Sequence, residues 1–308
     1  MNILFLGGAK RVSLGERFVE AGEVLGHDVH VFSYELKKQV PFALVGDIIV
    51  GKKWHDPTII DHLLQTVREF KISFVIANVD PATTVLARLN EADPTLGLIT
   101  SSVKACNIFL DKSIMHAKCE ELRIPCIPLS SGNFPMFLKP KHGSASQGTY
   151  VVDDDTYLTY LLERIDENAY IRERYINGVE YTVDAFVSKD STFVGAVPRI
   201  RSQITDGEST TATIIHDSEI LELTKKIMNS FELVGPITLQ FIRKEDRLFF
   251  MELNPRFGGG VIASIEAGFD IPKLMIMDYM GMTLPHLHHY DRLIMTRCYR
   301  EAFHAIDY

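Results

Sequence analysis

Residues 251–260 read MELNPRFGGG, a stretch that begins as a predicted strand and ends in an arginine and three glycines. Side chains alternate between the two faces of a strand. Glu252 and Asn254 are therefore predicted to share one face, while Met251 and Leu253 share the other. Two polar positions on one side of an otherwise apolar strand need a reason, which the neighbouring sequence supplies.

The segment PITLQFI, residues 236–242, is the predicted partner of this strand. A hairpin centred on Asp246 would place Gln240 opposite Glu252, so that three oxygen-bearing side chains, with Asn254, converge. One carboxylate with amide oxygens suits a hard divalent cation such as Mg²⁺, which also takes water and phosphate oxygens. The alternative is a hydrogen-bonded polar trio on a solvated face of the sheet.

Three arginines and a glycine run extend this prediction. Arg256 follows the strand and could clamp a phosphoryl or carboxylate group with two hydrogen bonds, although a surface salt bridge is the alternative. Gly258–Gly260 would let backbone amides approach an anion, or would simply form a turn into the next helix. Arg199 and Arg201 lie on one face of a predicted strand, where they suit a second anion or form a charged solvent face.

A second candidate region is FLKPKHGSASQGT, residues 137–149. Lys139 lies within an apolar strand, which is costly unless the ammonium has an anionic partner. The loop that follows has small residues whose amides and hydroxyls can wrap phosphates, namely Gly143, Ser144, Ser146 and Gly148. It does not match the P-loop pattern, and a mobile hairpin loop is the alternative.

A third region is RERYINGVEYTVD, residues 172–184. Glu173 ends a predicted strand, and Glu180, Thr182 and Asp184 share one face of the next strand. An apolar turn between carboxylates suits an adenine slot and a ribose. The alternative is an ordinary half-buried hairpin.

The chain is organised in two parts. The first hundred residues alternate short apolar strands with amphipathic helices, a rhythm that predicts a parallel sheet covered by helices. The remainder predicts α+β structure with largely antiparallel strands. The boundary is predicted near residues 100–110.

Composition excludes several classes of protein. The 308 residues carry a net charge of −8, which argues against a nucleic-acid-binding protein. The chain shows no signal peptide and no apolar run of the roughly 20 residues that a membrane helix needs, so we expect a cytoplasmic protein. Its four cysteines form no C-x-x-C pair. Gly7 and Gly8 are adjacent and do not complete a dinucleotide-binding fingerprint.

Taken in order, five stretches resemble the ATP-grasp family, and in particular the carbamoyl-phosphate-synthase large-subunit type of module. They are LDKSIMHAKCEELRIP, FLKPKHGSASQGTYVV, RERYINGVEYTVD, GPITLQF and MELNPRFGGG, within residues 110–260. The first hundred residues, including ISFVIANVDPATTVLA, resemble the Rossmann-like pre-ATP-grasp domain. The resemblance implies a pre-ATP-grasp domain at 1–108 and an ATP-grasp domain at 109–308. The second divides into 109–175, with a glycine-rich lid, and 176–308, which binds metal and substrate.

The resemblance also implies a role for individual residues. Lys112 and Lys139 would contact the phosphates of ATP beneath the lid from Gly143 to Gly148, and Arg256 would steady the transferred group. Gln240, Glu252 and Asn254 would hold Mg²⁺, with Mn²⁺ as a substitute. The adenine and ribose would be bound by Glu173, Arg174, Tyr175, Ile176 and Glu180.

The implied activity is an ADP-forming ligase that joins a small-molecule carboxylate to an amine, or to a thiol, through an acyl phosphate. Arg199 or Arg201 would orient the carboxylate. The chain resembles one module and contains nothing like an amidotransferase, so carbamoyl phosphate synthesis is not expected. An ATP-binding regulatory module without turnover and a nucleotide-dependent oxidoreductase are the alternatives, and a homodimer is the expected assembly.

Overall fold

Three β-sheets organise the part of the chain that the computed structural model describes, residues 1–143, 147–205 and 208–305. The strands are β1 (Asn2–Leu6), β2 (His30–Glu35), β3 (Asp47–Val50), β4 (Ile72–Ala77), β5 (Met136–Pro140), β6 (Tyr150–Val152), β7 (Tyr170–Arg174), β8 (Val179–Val187), β9 (Phe193–Thr205), β10 (Glu208–Ile214), β11 (Gly235–Lys244), β12 (Arg247–Asn254) and β13 (Ile294–Thr296). The strand orders are β3-β2-β1-β4, β6-β5-β7 and β12-β11-β8-β9-β10-β13.

Helices cover these sheets and connect them. They are α1 (Val12–Val24), α2 (Ile59–Glu69), α3 (Asp80–Ala92), α4 (Val103–Leu110), α5 (Lys112–Glu121), α6 (Asp155–Leu162), α7 (Ser218–Ser230), α8 (Val261–Glu266) and α9 (Ile271–Tyr279). Among the described residues, no helix is both long and apolar enough to cross a bilayer. The predicted domain boundary after residue 108 falls inside α4, and the division at 175/176 falls between β7 and β8. The domain limits themselves stay a prediction.

The first sheet is parallel throughout, as the alternation of strands and helices predicted. Its central strand β1 is buried along Ile3–Leu6 because helices lie on both faces. β1 and β4 run side by side, so their carboxyl ends meet at one edge. The loop after β1 and the start of α3, at Asp80, therefore lie next to each other and point toward the rest of the molecule.

The second sheet is small and antiparallel, and it carries Lys139 on its central strand β5. The helix α5 precedes this sheet. Asp111 caps α5, because its carboxylate accepts hydrogen bonds from the amides of Ser113 (2.8 Å) and Ile114 (3.3 Å). The cap fixes the start of the helix, and so it fixes Lys112 at the first helical position.

The third sheet is antiparallel and contains the hairpin of β11 and β12. Gln240 pairs with Glu252, which confirms the predicted register. The centre of the turn lies half a residue earlier than predicted, since Lys244 pairs with Arg247. A β-bulge between Gln240 and Phe241 then shifts the pairing, so that Gln240 still lies opposite Glu252. The bulge also changes one prediction: Met251 faces the same side as Glu252 and not the side of Leu253. Strands β3, β10 and β13 were not predicted.

The first domain and the last helices share one hydrophobic core. Phe257, in the loop after β12, is 1% exposed and packs edge-to-face on Phe18 of α1, with 6.0 Å between the ring centroids. Phe74 of β4 similarly meets Tyr279 of α9 at 5.2 Å. These contacts hold the loop after β12 against the first sheet. The observed arrangement, α/β followed by α+β, is the predicted fold class.

The shared core predicts a large cost for Phe257→Ala. Removing this buried ring leaves a cavity, and we expect the free energy of unfolding to fall by about 3–5 kcal/mol in a urea titration followed by circular dichroism. Phe303→Ala is the matched control, because Phe303 is 91% exposed and its loss should change the free energy by less than about 0.5 kcal/mol. Equal effects of the two substitutions would contradict the shared core.

Candidate active site

A cleft of about 380 Å³ lies where the three sheets meet. Its lining includes every described residue for which the sequence predicted a role except Gly148: Lys112, Lys139, Gly143, Glu173, Arg174, Tyr175, Ile176, Glu180, Arg199, Arg201, Gln240, Glu252, Asn254 and Arg256. Ser144 and Ser146 lie outside the described residues. The structure therefore collects side chains from distant positions of the sequence around one concave site. Their individual roles stay predictions.

The predicted oxygen trio converges on one carboxylate oxygen. Gln240 Nε2 donates to Glu252 Oε1 at 2.6 Å, and Asn254 Nδ2 donates to the same atom at 3.2 Å. Arg201 Nη1 donates to Gln240 Oε1 at 3.0 Å. The trio thus forms the hydrogen-bonded cluster that was one reading of the sequence, and it forms it inside the cleft and not on a solvated face.

Lys139 has the buried anionic partner that its position requires. Its Nζ lies 2.7 Å from Oε1 of Glu173, and the two side chains are 8% and 2% exposed. Burial acts to raise the pKa of Glu173, but the charge of Lys139 and the hydrogen bond from His116 lower it. Glu173 was predicted at the adenine slot. In the structure its carboxylate is bound to Lys139 and His116, so it sets the position of the lysine, and the contact with adenine stays a prediction.

Lys112 connects helix α5 to the lid segment. Its Nζ donates to the carbonyl of Gly143 at 2.9 Å. Burial lowers the pKa of Lys112, while Glu252 opposes that shift and Lys139 adds to it. Gly148 has a φ of +69°, and a Cβ there would lie 3.2 Å from the hydroxyl of Tyr170, so its backbone packs beside β7 and not on the cleft.

An apolar slot forms one wall of the cleft. Ile127, Ile242 and Phe249 form a buried cluster, with Ile176 and Met251 packed against it. Only Ile176 of these was predicted to contact a ligand. Ile127 and Ile242 lie on segments far apart in the sequence, and Met251 reaches the slot only because of the bulge, so no local pattern could have identified this wall.

The two arginines of β9 lie at different depths. Arg199 is 2% exposed, and its Nε donates to Asp184 Oδ2 at 2.9 Å, an oxygen that also accepts from Ser264 at 2.7 Å. Arg201 lies 3.2 Å from Glu180. Burial lowers the pKa of Arg201, and Glu180 opposes that shift. Neither arginine forms the solvent face that was the alternative reading.

The first domain contributes a part of the site that the sequence did not reveal. Asp80, at the start of α3, accepts a hydrogen bond from Arg256 Nε at 2.6 Å. Arg11, in the loop after β1, donates to the carbonyl of Gly258 at 3.4 Å. Asn78 lines the same end of the cleft. The sequence carried only indirect information about these residues. They follow the carboxyl ends of parallel strands, where α/β folds commonly bind ligands.

The glycine pair after β1 is arranged differently from a dinucleotide-binding loop. The amide of Gly8 donates to Ser33 Oγ at 3.1 Å. The carboxylate of Glu35 in turn accepts from Ser33 Oγ at 2.7 Å. Burial raises the pKa of Glu35. Because the Gly8 amide is already bonded to Ser33 and a carboxylate lies behind that serine, the geometry argues against a pyrophosphate at this loop and so against the oxidoreductase alternative.

Comparison with known proteins agrees with this architecture. Residues 167–297 match the family model described as "ATP-grasp in the biosynthetic pathway with Ter operon". The chain is 30% identical, over 167 residues, to the carbamoyl phosphate synthase large chain of Clostridium beijerinckii, an alignment that covers 50% of this chain and 16% of the relative. The chain thus spans about a sixth of that relative.

Two solved structures share the fold over most of the chain. N5-carboxyaminoimidazole synthetase from Staphylococcus aureus, complexed with ADP, has a TM-score of 0.77 at 16% identity and covers 96% of this chain and 82% of its own. L-amino acid ligase from Bacillus licheniformis has a TM-score of 0.70 at 16% identity, covering 92% and 71%. Residues 167–297 thus match a model of the ATP-grasp family, and the fold over most of the chain is the one that these two structures have, as the resemblance of the five sequence stretches predicted.

The buried cluster around Glu173 generates a stability prediction. Glu173→Gln would leave Lys139 and His116 without their carboxylate, and we expect the free energy of unfolding to fall by about 3–5 kcal/mol in urea. The matched control is Glu167→Gln, since the Glu167 side chain is 60% exposed in its pair with Arg172 and its loss should cost less than about 1 kcal/mol. A Glu173 variant as stable as the control would show that the cluster contributes nothing to folding.

Proposed function

We propose that this protein is an ATP-dependent ligase that activates a small-molecule carboxylate as an acyl phosphate and joins it to an amine. The observation that carries the proposal is the cleft itself, in which lysines, an oxygen-donor trio and an apolar slot meet the first domain. The names of the two solved relatives, a synthetase complexed with ADP and an amino acid ligase, support the same reaction class.

The shape and charge of the cleft support one orientation of the nucleotide. The adenine lies in the apolar slot beside Ile176 and Met251, where a flat aromatic ring can be buried. Glu180 is half-exposed at the edge of the slot and receives the ribose. Lys112 and Lys139 then face the phosphates, and the bond from Lys112 to Gly143 connects phosphate binding to closure of the lid.

The oxygen trio fits Mg²⁺, with one adjustment. Glu252 provides a carboxylate, and Gln240 and Asn254 provide amide oxygens once each amide is turned by 180°, a rotation that exchanges its nitrogen and oxygen. A site with one anionic ligand depends on the phosphate oxygens of ATP for the rest of its affinity. When bound, the metal neutralises charge on those phosphates.

The carboxylic acid substrate binds at the end of the cleft opposite the adenine slot. Arg256 lies there with Arg11 and with Gly258–Gly260 of the loop after β12. A carboxylate held at this end can attack the γ-phosphorus, which breaks the bond to the bridging oxygen and releases ADP. Lys139 and Arg256 offset the charge of the phosphoryl group in transit.

The second half of the reaction forms the new bond. The nitrogen of the amine attacks the carbonyl carbon of the acyl phosphate, the carbon–oxygen bond to phosphate breaks, and the nitrogen loses a proton to solvent. Closure of the lid keeps water from hydrolysing the acyl phosphate first. Arg199 and Arg256 both line the cleft and are each bound by a carboxylate, Asp184 and Asp80, so either guanidinium can orient the carboxylate of the acid.

The reaction is tested by an ADP-release screen that pairs carboxylates with amines in the presence of Mg²⁺ and ATP. Once a productive pair is found, Lys139→Ala and Glu252→Ala should each reduce amine-dependent ADP release by about 100-fold or more, because each removes a group that offsets or organises phosphate charge. Removal of divalent metal with a chelator should abolish release, and Mg²⁺ or Mn²⁺ should restore it.

Controls for this screen come from the same chain. Lys225→Ala and Glu232→Ala change exposed residues away from the cleft and should leave ADP release unchanged. Wild-type turnover in the Lys139 or Glu252 variant would refute the assignment. Tight binding of ATP without ADP release for any pair would favour the ATP-binding module that does not turn over.

A further inference from the structure

His116 lies behind the predicted phosphate lysine, and neither the sequence nor the proposed reaction assigns it a role. It projects from α5 and is 3% exposed. Its Nε2 lies 2.6 Å from Glu173 Oε1, the same oxygen that binds Lys139 at 2.7 Å. Its Nδ1 lies 3.6 Å from the Sγ of Cys126. One carboxylate oxygen therefore has a lysine on one side and a histidine on the other.

This geometry matters because of the charge of the cluster. Glu173 and Lys139 alone would form a neutral pair, and much of the field of the lysine would be cancelled before it reached a phosphate. A protonated histidine on the same oxygen gives His116, Glu173 and Lys139 a net charge of +1. Burial acts to lower the pKa of His116, but the hydrogen bonds that the ring makes with Cys126 and Glu173 raise it to about 9, so the ring is protonated at neutral pH.

The groups around the histidine fit this charge state. An imidazolium donates from both ring nitrogens, and both nitrogens of His116 face an acceptor: Nδ1 faces the Sγ of Cys126 and Nε2 faces the carboxylate of Glu173. The buried ring is therefore held between a thiol and a carboxylate, and it links α5 to the pair of Glu173 and Lys139.

We propose that His116 is a positioning residue for ATP binding: it holds and neutralises Glu173, so that the charge of Lys139 acts on the phosphates of the nucleotide. The inference rests on the proposed function only in that Lys139 faces the phosphates. It does not depend on which acid or amine reacts, nor on turnover. A merely structural histidine would stabilise the fold without distinguishing phosphate from nucleoside.

The experiment compares the binding of ATP with that of adenosine by calorimetry. His116→Gln keeps a hydrogen-bond donor and removes the charge, and His116→Asn serves the same purpose should His116→Gln not fold. We expect the Kd for ATP to rise about tenfold or more, while the Kd for adenosine changes less than about twofold, because only ATP carries the phosphates. His116→Lys restores a charged donor and should recover most of the ATP affinity.

A double-mutant cycle tests whether the effect passes through Glu173. In a Glu173→Gln background the carboxylate that His116 neutralises is gone, so His116→Gln should weaken ATP binding by less than about threefold. The control His288→Gln changes an exposed histidine and should leave both affinities unchanged.

Two outcomes would overturn the proposal: equal loss of ATP and adenosine binding, or the same loss of ATP binding in both backgrounds. Either would reduce His116 to a structural residue. Failure of the wild-type protein to bind ATP would instead refute the proposed function, and ADP release by a protein whose His116 variants bind ATP normally would refute only the role of His116.

Discussion

The anchoring of the loop after β12 to the first domain is the contact on which the rest of the site depends. Phe257 is buried against Phe18 in a core that both parts of the chain share. The residue before it, Arg256, is bound by Asp80, and the residue after it, Gly258, accepts a hydrogen bond from Arg11. Three successive positions of one loop are therefore fixed by the first domain, and this fixes the hairpin of β11 and β12 relative to the parallel sheet on the other side of the cleft.

Ion pairs between neighbouring side chains make the walls of the cleft polar and leave space for a ligand. Four side chains that line the cleft as cations each contact a carboxylate, in the pairs Asp80–Arg256, Glu173–Lys139, Glu180–Arg201 and Asp184–Arg199. Such pairs hold long side chains in one orientation before a ligand arrives, which reduces the ordering that binding requires. They also weaken each cation. Lys112 differs because a carbonyl and not a carboxylate binds its ammonium, so more of its charge is left for a phosphate.

Sequence reasoning predicted the parts of the site that are local and periodic. The face shared by Glu252 and Asn254, and the pairing of Glu252 with Gln240, follow from strand alternation and from a short hairpin. The need of Lys139 for an anion followed from its apolar neighbours, and Glu173 provides that anion. Each of these predictions required only a strand and the cost of burying a charge.

What could not be predicted depends on long-range packing or on one irregular residue. The bulge beside Met251 moves that side chain into the apolar slot, and neither neighbouring residue signals it. Asp80 and Arg256 are 176 positions apart, and His116 reaches Glu173 across 57. Strand and helix patterns carry no information about such pairs, because the pairs are set by how the finished elements pack.

The two ends of the cleft come from different parts of the chain. This division explains why sequence similarity to known proteins indicates the fold of this chain more readily than its substrate. The five stretches that resemble the ATP-grasp module lie within residues 110–260, the matched family model covers 167–297, and the first hundred residues resemble only the domain that precedes such a module. Residues 110–297 build the end of the cleft at which we propose that the nucleotide binds. The opposite end is completed by Arg11, Asn78 and Asp80, which lie in loops of the first domain outside both ranges. Loops at the carboxyl ends of parallel strands can change without disturbing the sheet that supports them. Chains with one such architecture can therefore differ in the acid they receive, and under the proposed function the choice of acid in this chain rests on those loops.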